Sequence, residues 1–93
     1  MPLYVMYGLD KPDSLDLRKA TRPAHLEWLK MFEHLVKIGG PMLGADGGTP
    51  VGSMIVIEAE SLEAAKAWAT LDPYAKAGLW QSVSIRPFTQ VYP

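Results

Sequence analysis

Two strand-forming segments of this 93-residue chain are apolar on both faces, which strongly limits the fold. They span Leu3–Leu9 and Ser53–Glu58. Successive side chains of a strand point to opposite faces, and a sheet with one face in water normally alternates apolar and polar residues. We therefore expect helices to cover one face and a second copy of the sheet to cover the other. The candidates for that second face are Tyr4, Met6, Met54 and Val56.

Strand patterns, helix caps and turn residues along the rest of the chain predict the element order β-α-β-β-α-β. The segments are a first strand at Leu3–Leu9, a helix from Pro23 to Ile38 ended by Gly39-Gly40-Pro41, a hairpin of Met42–Ala45 with Ser53–Glu58, a helix capped by Ser61, a helical turn opened by Asp72-Pro73, and a last strand within Trp80–Tyr92. This order is typical of a ferredoxin-like α+β fold, an antiparallel sheet with both helices on one face. Residues 1–93 are expected to form one domain, since a chain of this length builds a single core.

Composition and charge argue against several classes of partner. The formal net charge is −1 and its charges are interspersed, so we expect no nucleic-acid binding. Cysteine is absent, and His25 and His34 are spaced too far apart on a continuous helix to share a metal, so we expect no metal and no other cofactor. No apolar run approaches the roughly 20 residues that span a bilayer, and no signal peptide is recognisable. We expect a cytoplasmic protein without membrane contact.

Two short motifs carry the residues best suited to chemistry. His25 lies in Arg22-Pro23-Ala24-His25-Leu26, and periodicity directs it toward the sheet rather than toward water. An imidazole suits proton transfer near neutral pH, although a structural core histidine is an equally ordinary role. Asp72 is most simply a helix cap, and a cap carboxylate can also orient an imidazole. We therefore predict that His25 and Asp72 lie within hydrogen-bond reach beside a cavity.

Three further side chains are candidates for binding a substrate. Arg22 and Arg18 precede His25, and a guanidinium is well suited to an anionic or phenolic oxygen, although a solvated surface charge is the simpler role for each. Ser53 begins the strand of clearest pattern, where its hydroxyl either bonds locally or meets a substrate. We expect Arg22 or Ser53 to approach the same cavity as His25.

The same motifs resemble the YciI-like (YCII-related) proteins over nearly the whole chain. The matching pieces are Arg22-Pro23-Ala24-His25-Leu26, Gly40-Pro41, Gly52-Ser53, Ser61-Leu62-Glu63-Ala64-Ala65, Asp72-Pro73-Tyr74, Ala77-Gly78-Leu79 and Ile85-Arg86-Pro87-Phe88. The resemblance implies a ferredoxin-like fold that assembles into a dimeric α+β barrel, and a His–Asp site at His25 and Asp72. One characterised branch of the family dehydrochlorinates a hydroxylated aromatic, which implies lyase-type chemistry.

Three functions remain open at this point. The first is a small-molecule enzyme, lyase- or dehydrochlorinase-like, that uses His25 and Asp72 as an acid–base pair on a hydroxylated aromatic or enol. The second is a non-catalytic homodimeric domain that binds a small molecule or a partner, with His25 as a structural residue. The third, a haem or oxygenase relative with an axial histidine, rests on fold analogy alone.

Overall fold

The computed structural model describes residues 1–93 as one four-stranded antiparallel sheet with three helices. The elements are β1 (Leu3–Asp10), α1 (Leu15–Met31), β2 (Val36–Leu43), β3 (Pro50–Glu58), α2 (Leu62–Ala69), α3 (Pro73–Lys76) and β4 (Trp80–Phe88). The strand order is β2-β3-β1-β4, so β1 and β3 are central and β2 and β4 are edges. This arrangement confirms the predicted ferredoxin-like α+β fold class. None of the helices is both long and apolar enough to cross a membrane.

The first helix differs from its predicted bounds at both ends. It begins at Leu15, and Pro23 lies inside it rather than in its first turn. Proline has no N–H, so the helix loses one internal hydrogen bond at this position, and it continues regardless. The helix ends at Met31, where the chain turns and the Phe32 carbonyl accepts the N–H of Leu35 at 2.8 Å. His25 therefore lies in the second half of α1, not near its start.

The predicted stop signal Gly39-Gly40-Pro41 lies within strand β2. This strand runs over Val36–Leu43 and not over Met42–Ala45, because the β-branched residues before the glycines pair with β3. Proline is tolerated there because β2 is an edge strand, where one side of the backbone has no ladder partner. The β2–β3 hairpin itself was correctly predicted, and its turn contains Gly47 at φ +73°.

The two later helices begin where the sequence predicts. The Ser61 hydroxyl accepts the N–H of Ala64 at 3.0 Å, which caps α2. The Asp72 carboxylate accepts the N–H of Tyr74 at 2.9 Å, and Pro73 occupies the first turn of α3. Gly78 follows α3 at φ +77°, a left-handed conformation that glycine adopts without strain. These caps form as predicted because each one satisfies backbone groups that have no hydrogen-bond partner within the helix.

The prediction of which sheet face the helices leave open is wrong for two of four residues. Tyr4 and Met6 pair with Ile57 and Ile55, and all four lie in the core beneath the helices. Met54 and Val56 do lie on the opposite face, where they pair with Tyr7 and Val5. Alternation shows which residues of one strand share a face, but only the register between strands shows which faces coincide. We call the side of the sheet that carries Val5, Tyr7, Met54 and Val56 the open face, on which Val56 alone is already buried, at 7% exposure.

Aromatic side chains join the helices to the sheet. The rings of Trp28 and Trp68 stack at a centroid distance of 4.2 Å, and the edge of Phe32 meets both of them. This cluster links α1 to α2 above Ile55 and Ile57. The consequence for function is that α1, which carries His25, is firmly packed on its C-terminal half.

Gly52 provides a test of how tightly the two central strands pack. A Cβ at Gly52 would overlap the carbonyl oxygen of Gly8 on β1 and lie 2.8 Å from Cε of Met42. Gly52→Ala is therefore expected to lower the free energy of unfolding by about 1–3 kcal/mol, the usual cost of overpacking. The measurement is urea unfolding followed by tryptophan fluorescence.

The matched control is Gly48→Ala in the hairpin turn. A Cβ there would meet no atom within 4 Å, so the change should stay within about 0.5 kcal/mol of the parent. Equal stability of the two variants would contradict the packing described for β1 and β3.

Candidate active site

A cavity of about 250 Å³ opens between α1 and the β2–β3 hairpin. Its walls are built by residues of α1, β2, β3 and α3, which are distant in sequence. The chemically active side chains lining it are those of Arg18, Lys19, Arg22, His25, Ser53 and Tyr74. The cavity is slightly smaller than the pockets that hold drug-sized ligands, about 300–1,000 Å³, and so suits a smaller molecule. It has an exposed rim, since Lys19, Arg22 and the segment Gly39–Pro41 are all exposed to solvent.

His25 and Asp72 form a buried pair at the inner wall of this cavity. His25 Nδ1 lies 2.8 Å from Asp72 Oδ1, a direct hydrogen bond across 47 residues of sequence. The two residues are 6% and 0% exposed. An ionised carboxylate can only accept, so Nδ1 carries the hydrogen in this bond and Nε2 is left as the ring nitrogen for a ligand. The distance lies within the reach that the sequence predicts.

Asp72 is held by more than the histidine. Its Oδ1 also accepts the backbone N–H of Tyr74, so one oxygen serves both the helix cap and the imidazole. Its Oδ2 is buried without a hydrogen-bond partner. A carboxylate fixed in this way has little freedom to rotate, and it can keep the imidazole in one tautomer and one orientation.

Tyr74 is a site residue that the sequence reasoning did not assign. Its ring stacks on the His25 imidazole at a centroid distance of 4.0 Å and an interplanar angle of 23°. Burial, with the Arg18 and Arg22 charges opposing it, raises the pKa of Tyr74, so the phenol is neutral at pH 7. The signal for it was present, since Tyr74 belongs to the Asp72-Pro73-Tyr74 motif.

Arg18 is buried and paired, not a solvated charge. It donates from Nε and Nη2 to the two oxygens of Asp10 at 2.7 and 2.9 Å, and from Nη2 to Ser53 Oγ at 3.0 Å. Burial would lower the pKa of Arg18, but the hydrogen bond and charge of Asp10, with a smaller contribution from Tyr74, leave the pKa above its ordinary value. The guanidinium also lies 4.6 Å from the Tyr74 ring centroid. Asp10 was not predicted, because it reads as the end of a strand.

The structure thus brings every predicted site residue to one cavity. His25, Arg18 and Arg22 come from α1, Ser53 comes from β3, and Asp72 stands behind His25 at the start of α3. Arg22 is exposed at the rim and has no ion pair or side-chain hydrogen bond in the structure. No three His, Asp or Glu side chains converge as metal ligands.

These features define an α+β protein of ferredoxin-like fold with a buried His–Asp pair beside a small cavity. The YCII-related domain family matches residues 2–89, and the chain belongs to this family. Protein YciI of Escherichia coli is 45% identical over 97 aligned positions, covering 97% of this chain and 99% of its own. The resemblance seen in the sequence is thereby confirmed.

Solved structures extend the comparison to the fold. The chain is similar to 5-chloro-2-hydroxyhydroquinone dehydrochlorinase (TftG) of Burkholderia phenoliruptrix in complex with 2,5-dihydroxybenzoquinone. The TM-score is 0.87 and the identity 33%, over 94% of this chain and 93% of that one. An antibiotic biosynthesis monooxygenase matches 99% of this chain and 100% of its own with a TM-score of 0.58 and 12% identity, which shows the fold alone.

Proposed function

We propose that this protein is a small-molecule enzyme that transfers protons on a hydroxylated aromatic or a related enol, with lyase-type chemistry. The observation that carries the proposal is the buried His25–Asp72 hydrogen bond at the wall of a cavity open to solvent. A histidine oriented by a carboxylate, with its second nitrogen free, is the arrangement that general acid–base catalysis requires. A purely structural histidine has no need of an adjoining cavity.

Each residue of the site has a defined role in this proposal. His25 takes and returns a proton through Nε2, and Asp72 fixes the ring and stabilises the imidazolium that forms. The Ser53 hydroxyl accepts from Arg18, so its own hydrogen is available to a substrate oxygen. Arg18 keeps this end of the cavity polar, and Arg22 binds a substrate oxygen from the rim.

Similarity to the dehydrochlorinase supports a specific reaction for this site. Loss of HCl from 5-chloro-2-hydroxyhydroquinone needs no oxidant. One ring hydroxyl gives its proton to the carbon that bears chlorine, and chloride then leaves as a second hydroxyl loses its proton. The product is a hydroxyquinone, and the net change is one chloride and one proton released. His25 would carry the first proton from oxygen to carbon, since both atoms belong to one small ring that the cavity can hold.

The test is to incubate the purified protein with 5-chloro-2-hydroxyhydroquinone without added metal or cofactor. We expect chloride and hydroxyquinone to form in equal amounts, measured by ion chromatography and by quinone absorbance. Heat-denatured protein provides the background rate, because such phenols also react spontaneously. No acceleration with this compound or with other halogenated and unhalogenated hydroxyphenols would contradict the proposal.

We also propose that residues 1–93 form a single domain that works in the cytoplasm as a homodimer. The open face supports the dimer, because Tyr7 is 39% exposed and Met54 is only partly covered within one chain. Burying such a face against its own copy would resemble an obligate interface.

Met54→Glu should raise the dimer dissociation constant by about a hundredfold or more, since each copy would bury an unpaired charge. Analytical ultracentrifugation across micromolar concentrations measures the change. Met31→Glu is the matched control, because Met31 is 72% exposed at the end of α1, away from the open face. A monomeric parent protein, or dissociation of both variants, would contradict the proposed interface.

A further inference from the structure

The positive charge of the cavity is not neutralised by the chain itself. Arg18, Lys19 and Arg22 line the cavity, whereas no aspartate or glutamate does. Asp10 neutralises Arg18, but Lys19 and Arg22 have no ion pair. Two uncompensated cations thus stand at one cavity in a chain whose formal net charge is −1.

Helical geometry orders these cations from the inner wall to the rim. Each residue turns the helix by about 100°, so Arg22 lies about 40° and Lys19 about 100° around the axis from the buried Arg18. His25 lies on the buried side with Arg18, about 4.5 Å along the axis from Arg22. Burial follows the same order, since Arg18 and His25 are buried while Arg22 and Lys19 are exposed. The two exposed cations, Arg22 and Lys19, therefore lie beside His25 on α1 but nearer the rim of the cavity.

The opposite wall provides room rather than charge. It is formed in part by Gly39, Gly40 and Pro41 of β2, and a Cβ at Gly40 would meet no atom within 4 Å. This leaves room for a ring with one edge toward His25 and a charged substituent toward Arg22 and Lys19.

We propose that the cavity binds its ligand as an organic anion, a carboxylate or an ionised phenol or enol, and that Arg22 and Lys19 select for this charge. This inference deepens the proposed function by naming the ionic form of the substrate. Calling the bound anion a substrate rests on the proposed function, whereas anion binding itself does not. Arg22 makes the main contact, because its fork can donate two parallel hydrogen bonds to an oxyanion. Lys19 adds attraction from the rim, where water screens it more strongly.

The experiment compares matched pairs of probes by isothermal titration calorimetry. The first pair is 2,5-dihydroxybenzoquinone, a vinylogous acid that is ionised at pH 7, and 2,5-dimethoxybenzoquinone, which cannot ionise. The second pair is benzoate and benzamide, which differ in charge at nearly equal size. We expect the anion of at least one pair to bind at least tenfold more tightly than its neutral partner. The preference should fall several-fold between 50 and 500 mM salt.

The variants locate the source of this preference. Arg22→Gln should weaken anion binding about 10- to 100-fold, as expected for loss of a charge-assisted hydrogen bond, and Lys19→Gln about two- to fivefold. Each variant should weaken binding of the neutral probe less than it weakens binding of the anion, so the anion preference should shrink. Lys30→Gln removes the same charge from α1 outside the cavity and should leave both affinities unchanged.

Several results would overturn the inference. They are equal affinity for the charged and neutral partner of each pair, no binding of any probe, or an anion preference that persists when both Lys19 and Arg22 are replaced. His25→Gln separates this inference from the proposed function, because it should lower turnover about 10²- to 10⁴-fold yet keep the anion preference. An anion preference without turnover of any phenol by the parent protein would contradict the proposed function alone.

Discussion

His25→Gln should lower kcat/KM for dehydrochlorination by about 10²- to 10⁴-fold, the usual loss when a general acid–base residue is removed. Glutamine can still donate an N–H toward Asp72, so the buried carboxylate keeps a partner and the fold should persist. His25→Ala is a poorer test, because it would leave Asp72 Oδ1 without its side-chain donor and would remove the ring that stacks on Tyr74. Steady-state chloride release and thermal unfolding of each variant measure the two effects.

His34→Gln is the matched control, since His34 is exposed in the turn after α1. It should retain the parent activity. Asp72→Asn preserves the helix cap and should lower activity by weakening stabilisation of the imidazolium. Full activity of His25→Gln in a folded protein would leave His25 with a structural role only.

Asp10→Ala should lower the free energy of unfolding by about 3–5 kcal/mol, because it leaves the buried Arg18 guanidinium without its counter-charge. The side chains of Arg18 and Asp10 are only 5% and 8% exposed, so water screens this pair far less than a surface ion pair. Replacing both together, as Asp10→Leu with Arg18→Met, should recover much of the stability, since it removes the unpaired charge. Urea unfolding at one fixed protein concentration measures each variant, so that any dimer contributes equally.

The control is the surface ion pair between Lys37 and Glu58. Its atoms lie as close, at 2.8 Å, but the side chains are 45% and 29% exposed. Glu58→Ala should therefore cost far less stability than Asp10→Ala. Similar losses for Asp10→Ala and Glu58→Ala would contradict the buried character of the Arg18 pair.

The elements that were correctly predicted are those whose signals are local. Ser61 and Asp72 cap helices because a side-chain oxygen reaches an N–H two or three residues away. The end of α1 is not determined locally. Pro23 and Gly39–Pro41 looked like the bounds of one helix, but pairing of Val36 with Ile57 across the hairpin draws that segment into β2. Tertiary pairing thus overrides the intrinsic preference of the segment.

The candidate site was predictable only in part for a similar reason. His25 and Asp72 were singled out by their motifs, and the family resemblance joined them across the chain. Asp10 was missed because its partnership with Arg18 depends on how β1 packs beside α1, which no residue spacing reveals. The stacking of Tyr74 on His25 likewise depends on how α3 docks against α1.

A crystal structure with 2,5-dihydroxybenzoquinone bound tests the central claim most directly, through the distance from His25 Nε2 to the nearest ligand oxygen or reacting carbon. We expect the ring inside the cavity between α1 and β2, with an oxygen about 2.6–3.2 Å from Nε2 or bridged to it by one water. A ligand bound elsewhere, or a cavity in which Nε2 faces only protein atoms while the ligand is bound, would contradict the account.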